Sequence, residues 1–475
     1  MRTRLVVVLV VSLVATVGGG ARPVAAATPS KQWDPRVTKY VEFVEQRRKL
    51  KFDHPVPVKF LADKAFVKAF HGDDAKTTKQ DRADAERFAG QLRALGLIQG
   101  PVDLIQSERD LSATDVVGFY DQHKKWLFVR GEDVSDVDVR VTLVHELTHA
   151  LQDQRFDLDK LDQATNTSGE DFALTALVEG DAVNVEDAYV ASLSQSERDA
   201  YDASVQGDPP EPDAPASSTD IPPILELFES APYIFGPQYV EGLKANAGER
   251  QVDRAFATPP RSEEQIIDPV AAQRGQVPAT VAVPKLAAGE TRDGSADDFG
   301  AMSLYLLLGS RLDPKTALTA AEGWGGDRYL AFTKRAKHGK DRQECLRVAF
   351  RGDTTGDTTE ISDALDRWVG TLPVGAASVR RVKGVATLSA CDTDGTTAPT
   401  QESLDDAVGV LANRNGLILE FLAQKALIVD ARCVSDQLVT DAEMEPLFTK
   451  DTLSDAEDTL LGDRIAQYIK ACQST

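Results

Sequence analysis

The stretch VTLVHELTHALQDQ, residues 141–154, decides how the rest of the chain reads. On an α-helix, residues four apart stand one above the other on a single face, so His145 and His149 can direct one imidazole nitrogen each at a common metal ion. Glu146 projects about 100° around the helix from His145, within reach of a water on that ion without being a ligand. Leu143, Val144, Leu147, Ala150 and Leu151 give the motif an apolar frame, as a helix buried beneath a cleft requires and a solvated helix does not.

Two histidines leave a metal site incomplete, because a catalytic zinc takes three protein ligands and keeps one open position. The other histidines are His54, His71, His123 and His338. A better third ligand is Glu179, in TALVEGDAVNVE, thirty residues after His149. Its neighbours at three and four residues on a helix are Thr175, Ala176, Ala182 and Val183, a largely apolar face on which an unpaired carboxylate would be costly. A metal ion would offset that cost; so would an arginine in the core.

VHELTHALQDQ followed by ALVEGDA resembles the gluzincin branch of zinc metallopeptidases. The likeness is specific over residues 116–188 and looser over PYIFG and PPRSEEQIIDP. It implies Zn2+ held by His145, His149 and Glu179, with Glu146 as general base in the hydrolysis of a peptide or protein substrate. Tyr233, in PYIFG, is the candidate oxyanion donor, although a buried tyrosine is more often there to pack its ring. Many gluzincins carry an aspartate four residues after the ligand glutamate to orient a histidine. Here that position is Val183, and Asp181 is the candidate substitute. Glu186, further along the same helix, is expected to leave metal binding untouched. The metzincin pattern is excluded, since Gln152 and Arg155 stand where it needs glycine and histidine. By the same resemblance the strand over 126–129 is a candidate edge strand for pairing with an extended substrate. A silent zincin scaffold, acting as a binding or envelope-associated protein, is the alternative.

The expected fold class is α+β. Residues 1–27, with Arg2 and Arg4 ahead of an apolar run over 5–17, read as a signal peptide cleaved after Ala27, the run being short of the about 18 apolar residues that span a bilayer. Residues 28–275 form the zincin-like domain with a mixed sheet and active-site helices. An α+β segment over 290–372, either separate or part of the same catalytic unit, and a mainly helical, disulfide-stabilised module over 378–475 follow. HPVPVKFL reads as a strand, and residues 116–120 and 126–129 as a hairpin leading into the motif helix. VRRVKGVATLSAC reads as one short strand. The run over 207–223, rich in Pro, Asp and Ser, reads as a solvated loop.

Composition sets the partners. The 42% hydrophobic and 27% charged content is that of a globular chain. Loss of Arg2, Arg4 and Arg22 with the leader takes the formal charge from −22 to about −25, which repels phosphate backbones and excludes nucleic acid as a partner. No second long apolar run follows, so a secreted or extracytoplasmic protein without a membrane span is expected. The four cysteines, Cys345, Cys391, Cys433 and Cys472, are expected to pair in that compartment. Of three connectivities, the expected one joins Cys433 to Cys472 within the helical module and Cys345 to Cys391 between two strands.

Overall fold

The computed structural model describes residues 32–473, apart from 72–76, 114–115, 207–220, 336–341, 394, 449 and 451. The expected signal peptide, most of the Pro-rich loop and His338 therefore lie outside the described residues. The chain is α+β with a mainly helical C-terminal region.

The N-terminal half builds a small sheet around the motif helix. Helix α1 (Thr38–Arg48) is followed by β1 (Val58–Leu61), α2 (Lys79–Ala94), β2 (Gly118–Asp121), β3 (Trp126–Arg130) and the motif helix α3 (Val137–Phe156). The sheet is mixed, in the order β1-β3-β2, with β1 parallel and β2 antiparallel to β3. Strand β3 is thus central, contrary to the edge position expected for it, and β2 is an edge. Sequence could place the hairpin, but the parallel partner β1 lies more than sixty residues upstream and leaves no local signal. Tyr40, Val41 and Val44 of α1 pack with Leu127 and Val129 of β3 against Leu143, Val144 and Leu147 of α3.

Three long helices follow: α4 (Ser168–Ser192), α5 (Gln195–Gln206) and α6 (Pro223–Ala247). Helices α4 and α6 meet at backbone distance, since a Cβ on Gly180 would lie 2.2 Å from the backbone of Gly236, and one on Gly236 would lie 2.2 Å from the carbonyl oxygen of Ala176. Only glycine permits this approach.

The second sheet is antiparallel, in the order β4-β5-β6-β8-β7. Its strands are β4 (Thr291–Asp297), β5 (Trp324–Arg335), β6 (Arg342–Gly352), β7 (Ala377–Val382) and β8 (Val385–Cys391), with helices α7 (Ala301–Gly309) and α8 (Thr355–Val369) between them. VRRVKGVATLSAC is two strands, not one. Val382 pairs with Val385 across a two-residue turn in which Lys383 and Gly384 have φ of 51° and 74°, the left-handed pair that a tight hairpin needs. Helices α9 (Gln401–Ala423), α10 (Ile428–Val439) and α11 (Asp455–Cys472) complete the chain. Both expected disulfides form: Cys345–Cys391 across directly paired positions of β6 and β8, and Cys433–Cys472 between α10 and α11. Helix α11 has no fully buried residue, but Leu461, Ile465 and Tyr468 pack partly buried against Val434, Leu438, Met444 and Leu447, and the second bridge reinforces that packing.

One apolar cluster runs from Ala89 to Val439 and joins Ala173, Ala176 and Phe235 beside the motif to Leu304, Phe350 and Trp368 of the second sheet and its helices. Carboxylates stitch the same junction. Glu263, in PPRSEEQIIDP, accepts the backbone N–H groups of Met302 and Ser303 at 2.8 and 3.2 Å and so caps α7. Asp297 accepts Ser168 N–H at 3.1 Å and Asp298 accepts Gly169 N–H at 3.0 Å, which caps the start of α4.

Candidate metal centre

Helix α3 carries His145, Glu146 and His149 on a segment buried almost throughout from Val139 to Asp153, and α4 crosses it with Glu179. His145 Nε2 and His149 Nε2 stand 3.0 Å apart, and Glu179 Oε2 lies 3.2 Å from the first and 3.3 Å from the second. A tetrahedral ion with bonds of about 2.0–2.1 Å holds its ligands about 3.3–3.4 Å apart, close to this triangle. Among the described residues this is the one group of its kind. His54 meets Gln154, and His123 pairs with Asp159 at the surface, so neither joins it.

The other ring nitrogens are committed. His145 Nδ1 meets Glu186 Oε2 at 2.8 Å, and a carboxylate can only accept. Gln152 Nε2 donates to Val178 O at 3.0 Å and to Asp181 Oδ2 at 2.9 Å, so Gln152 Oε1 is the atom 3.0 Å from His149 Nδ1. Both rings therefore carry their proton on Nδ1, and their Nε2 lone pairs converge with Glu179 Oε2 on one point. Three acceptors facing each other require protons or a cation between them. Without an ion the protons stay. Burial disfavours charge on His145, but its bonds to Glu179 and Glu186 outweigh this and hold it protonated well above the ordinary histidine range. Burial likewise disfavours charge on His149, and the field of Glu179 prevails. Burial raises Glu179, but the field of His149 and the bonds to both rings bring it down to about 2. A divalent cation can displace those protons.

Glu146 is fully buried and stands outside the triangle. Its Oε2 accepts Tyr120 N–H from β2 at 2.7 Å, while Oε1 has no hydrogen-bond partner. Burial raises its pKa from the usual carboxylate value, against the fields of His149 and His145. Tyr120 also ties β2 to α3 from its other end, donating its hydroxyl to Asp153 at 2.6 Å. Tyr233 reaches the site from inside α6, with its ring centroid 6.5 Å from that of His145. The Gly180–Gly236 crossing brings it there.

Around this centre the structure supplies contacts that the sequence did not. Glu186 Oε2 meets His145 Nδ1, a contact not foreseen for it, and its other oxygen accepts the Tyr201 hydroxyl at 3.2 Å from α5. The signal was present, because seven residues from Glu179 is two helical turns on the same face. Asp181 does not touch a histidine. It reaches His149 at one remove, through Gln152.

One family match accompanies this geometry: residues 288–410 match a domain of unknown function, DUF8575. That segment runs from β4 into α9 and holds none of the three converging side chains. No curated protein and no solved structure matches the chain. Site and fold define a protein with a buried His–His–Glu group able to hold a metal ion, packed against that domain.

Proposed function

We propose that the protein is an exported zinc-dependent metallopeptidase of the gluzincin kind. The observation that carries this is the triangle of His145 Nε2, His149 Nε2 and Glu179 Oε2 with the unpartnered Glu146 Oε1 beside it. Zinc, when bound, supplies Lewis acidity toward a carbonyl oxygen and a water. Glu146 takes a proton from the attacking water and delivers it to the leaving amine, a transfer for which a buried carboxylate without a competing partner on Oε1 is suited. The Tyr233 hydroxyl is the donor proposed for the oxyanion, and β2, the outer strand nearest Glu146, takes the substrate-pairing role earlier assigned to β3. The two disulfides agree with an oxidising compartment, and among the described residues no helix is long and apolar enough to cross a membrane.

Metal analysis of the purified chain alongside a peptide-library digest tests this reading. Stoichiometric zinc and discrete cleavages are expected. One observation favours the second reading, a silent zincin scaffold: His145, Glu146 and Glu179 are at most 1% exposed. Zinc-loaded protein that cleaves no peptide in the library would decide for it.

A further inference from the structure

Arg48 is a full positive charge on α1 that is only 1% exposed. Its guanidinium is caged on three sides. Nε donates to Asp181 Oδ2 at 2.8 Å, Nη1 to Glu249 Oε2 at 2.8 Å and Nη2 to Asp253 Oδ1 at 2.9 Å. Asp181 is fully buried as well. Stability is a poor reason for such an arrangement, because apolar side chains of the same volume serve a core as well or better than a buried ion pair. Where the cage leads gives a better one.

The oxygen that receives Arg48, Asp181 Oδ2, also receives Gln152 Nε2, and the far end of that amide accepts the Nδ1 proton of His149. An amide fits its cavity almost equally well in two orientations. Turned over, Gln152 would present its NH2 to His149 Nδ1, and the ring proton would move to Nε2, the atom that faces His145 and Glu179. Val178 O and Asp181 Oδ2 both stand against the Gln152 NH2 and oppose the flip, and the Arg48 Nε bond holds the Asp181 carboxyl group in place beside that amide. His145 has no such dependence, since Glu186 and Tyr201 come from α4 and α5.

We infer that Arg48 is a positioning residue of the metal centre, acting through Asp181 and Gln152 to hold His149 in its metal-binding tautomer. Helix α1 is thereby a constituent of the site and not a segment that maturation can remove. The inference rests on His145, His149 and Glu179 being metal ligands.

The test uses the full chain after leader removal, with zinc affinity read by competition against a chromophoric chelator and ligand geometry by the visible spectrum of the Co2+-loaded protein. Arg48→Gln and Gln152→Leu should each weaken zinc binding by about 10- to 100-fold and alter the cobalt spectrum. Arg48→Lys, which keeps a charge beside Asp181, should restore much of the loss. Arg414→Gln is the control, because Arg414 is an equally buried arginine caged by Glu322 and Asp436 away from the site. It should lower the melting temperature and leave zinc affinity unchanged. If Arg48→Gln fails to fold, Gln152→Leu still decides, since Asp181 keeps its Arg48 partner there. Wild-type affinity and an unchanged spectrum in Gln152→Leu would overturn the inference, as would an equal loss of affinity in Arg414→Gln. Wild-type protein that binds no zinc would instead overturn the metal reading itself.

Discussion

The two oxygens of Glu146 have different surroundings, one bonded to the β2 backbone and one without a partner, and this makes its role separable from ligation. Glu146→Gln is expected to retain zinc while hydrolysis falls by about 10²- to 10⁴-fold; metal content and turnover measured on one sample check it, and unchanged turnover would remove Glu146 from the role of base. Glu179→Ala should abolish tight zinc binding, whereas Glu186→Ala should weaken it by about 10- to 100-fold through loss of the His145 Nδ1 acceptor. Equal retention in both would send the search for a third ligand elsewhere. The convergence of these side chains was legible because helical periodicity puts His145 over His149 and surrounds Glu179 with apolar neighbours. Arg48 was not, since no pattern in a sequence tells which charge 133 residues away will meet Asp181.

Among elements, the crossing of α4 and α6 is the most exacting. A methyl group on Gly180 would have to displace the Gly236 backbone, so Gly180→Ala is expected to destabilise the fold by about 1–3 kcal/mol or more. Chemical denaturation measures this, and a stability equal to wild type would mean that the helices part easily. The cap on α7 brings a pH dependence. Burial pushes Glu263 up to about 8, against the Ser303 and Met302 N–H bonds that lower it. An unfolded glutamate titrates near about 4.3, so between that value and about 8 the folded state alone keeps the proton, and stability from this group drains away as pH rises through that window. The melting temperature of wild type should fall more steeply from pH 5 to 9 than that of Glu263→Gln; parallel curves would count against the assignment. Helices and the β2–β3 hairpin were readable from local periodicity, as was β1 as a strand. The place of β3 between two neighbours was not, because pairing with β1 is set by packing on α1 and α3.

At the scale of the molecule, the apolar cluster from Ala89 to Val439 makes the helix that carries Glu179 and the DUF8575 segment share one interior. Composition and cysteine placement gave the class of chain and the pairing of its sulfurs, yet they could not show that β4 reaches back to cap the helix that carries Glu179. That cap has a thermodynamic corollary. An ion that binds only the folded state stabilises it by about 4 kcal/mol at a thousandfold excess over its Kd, and the gain is distributed to whatever must open together with the site. Amide hydrogens of Ser168 and Gly169, bonded to Asp297 and Asp298, should therefore exchange more slowly with deuterium when zinc is added, although both lie about three helical turns from Glu179. Mass spectrometry of exchanged peptides would register this. Slowing confined to the ligand residues would show that α4 frays independently of its ends, whereas slowing that extends into β4 would make a segment without a ligand of its own a reporter of metal occupancy.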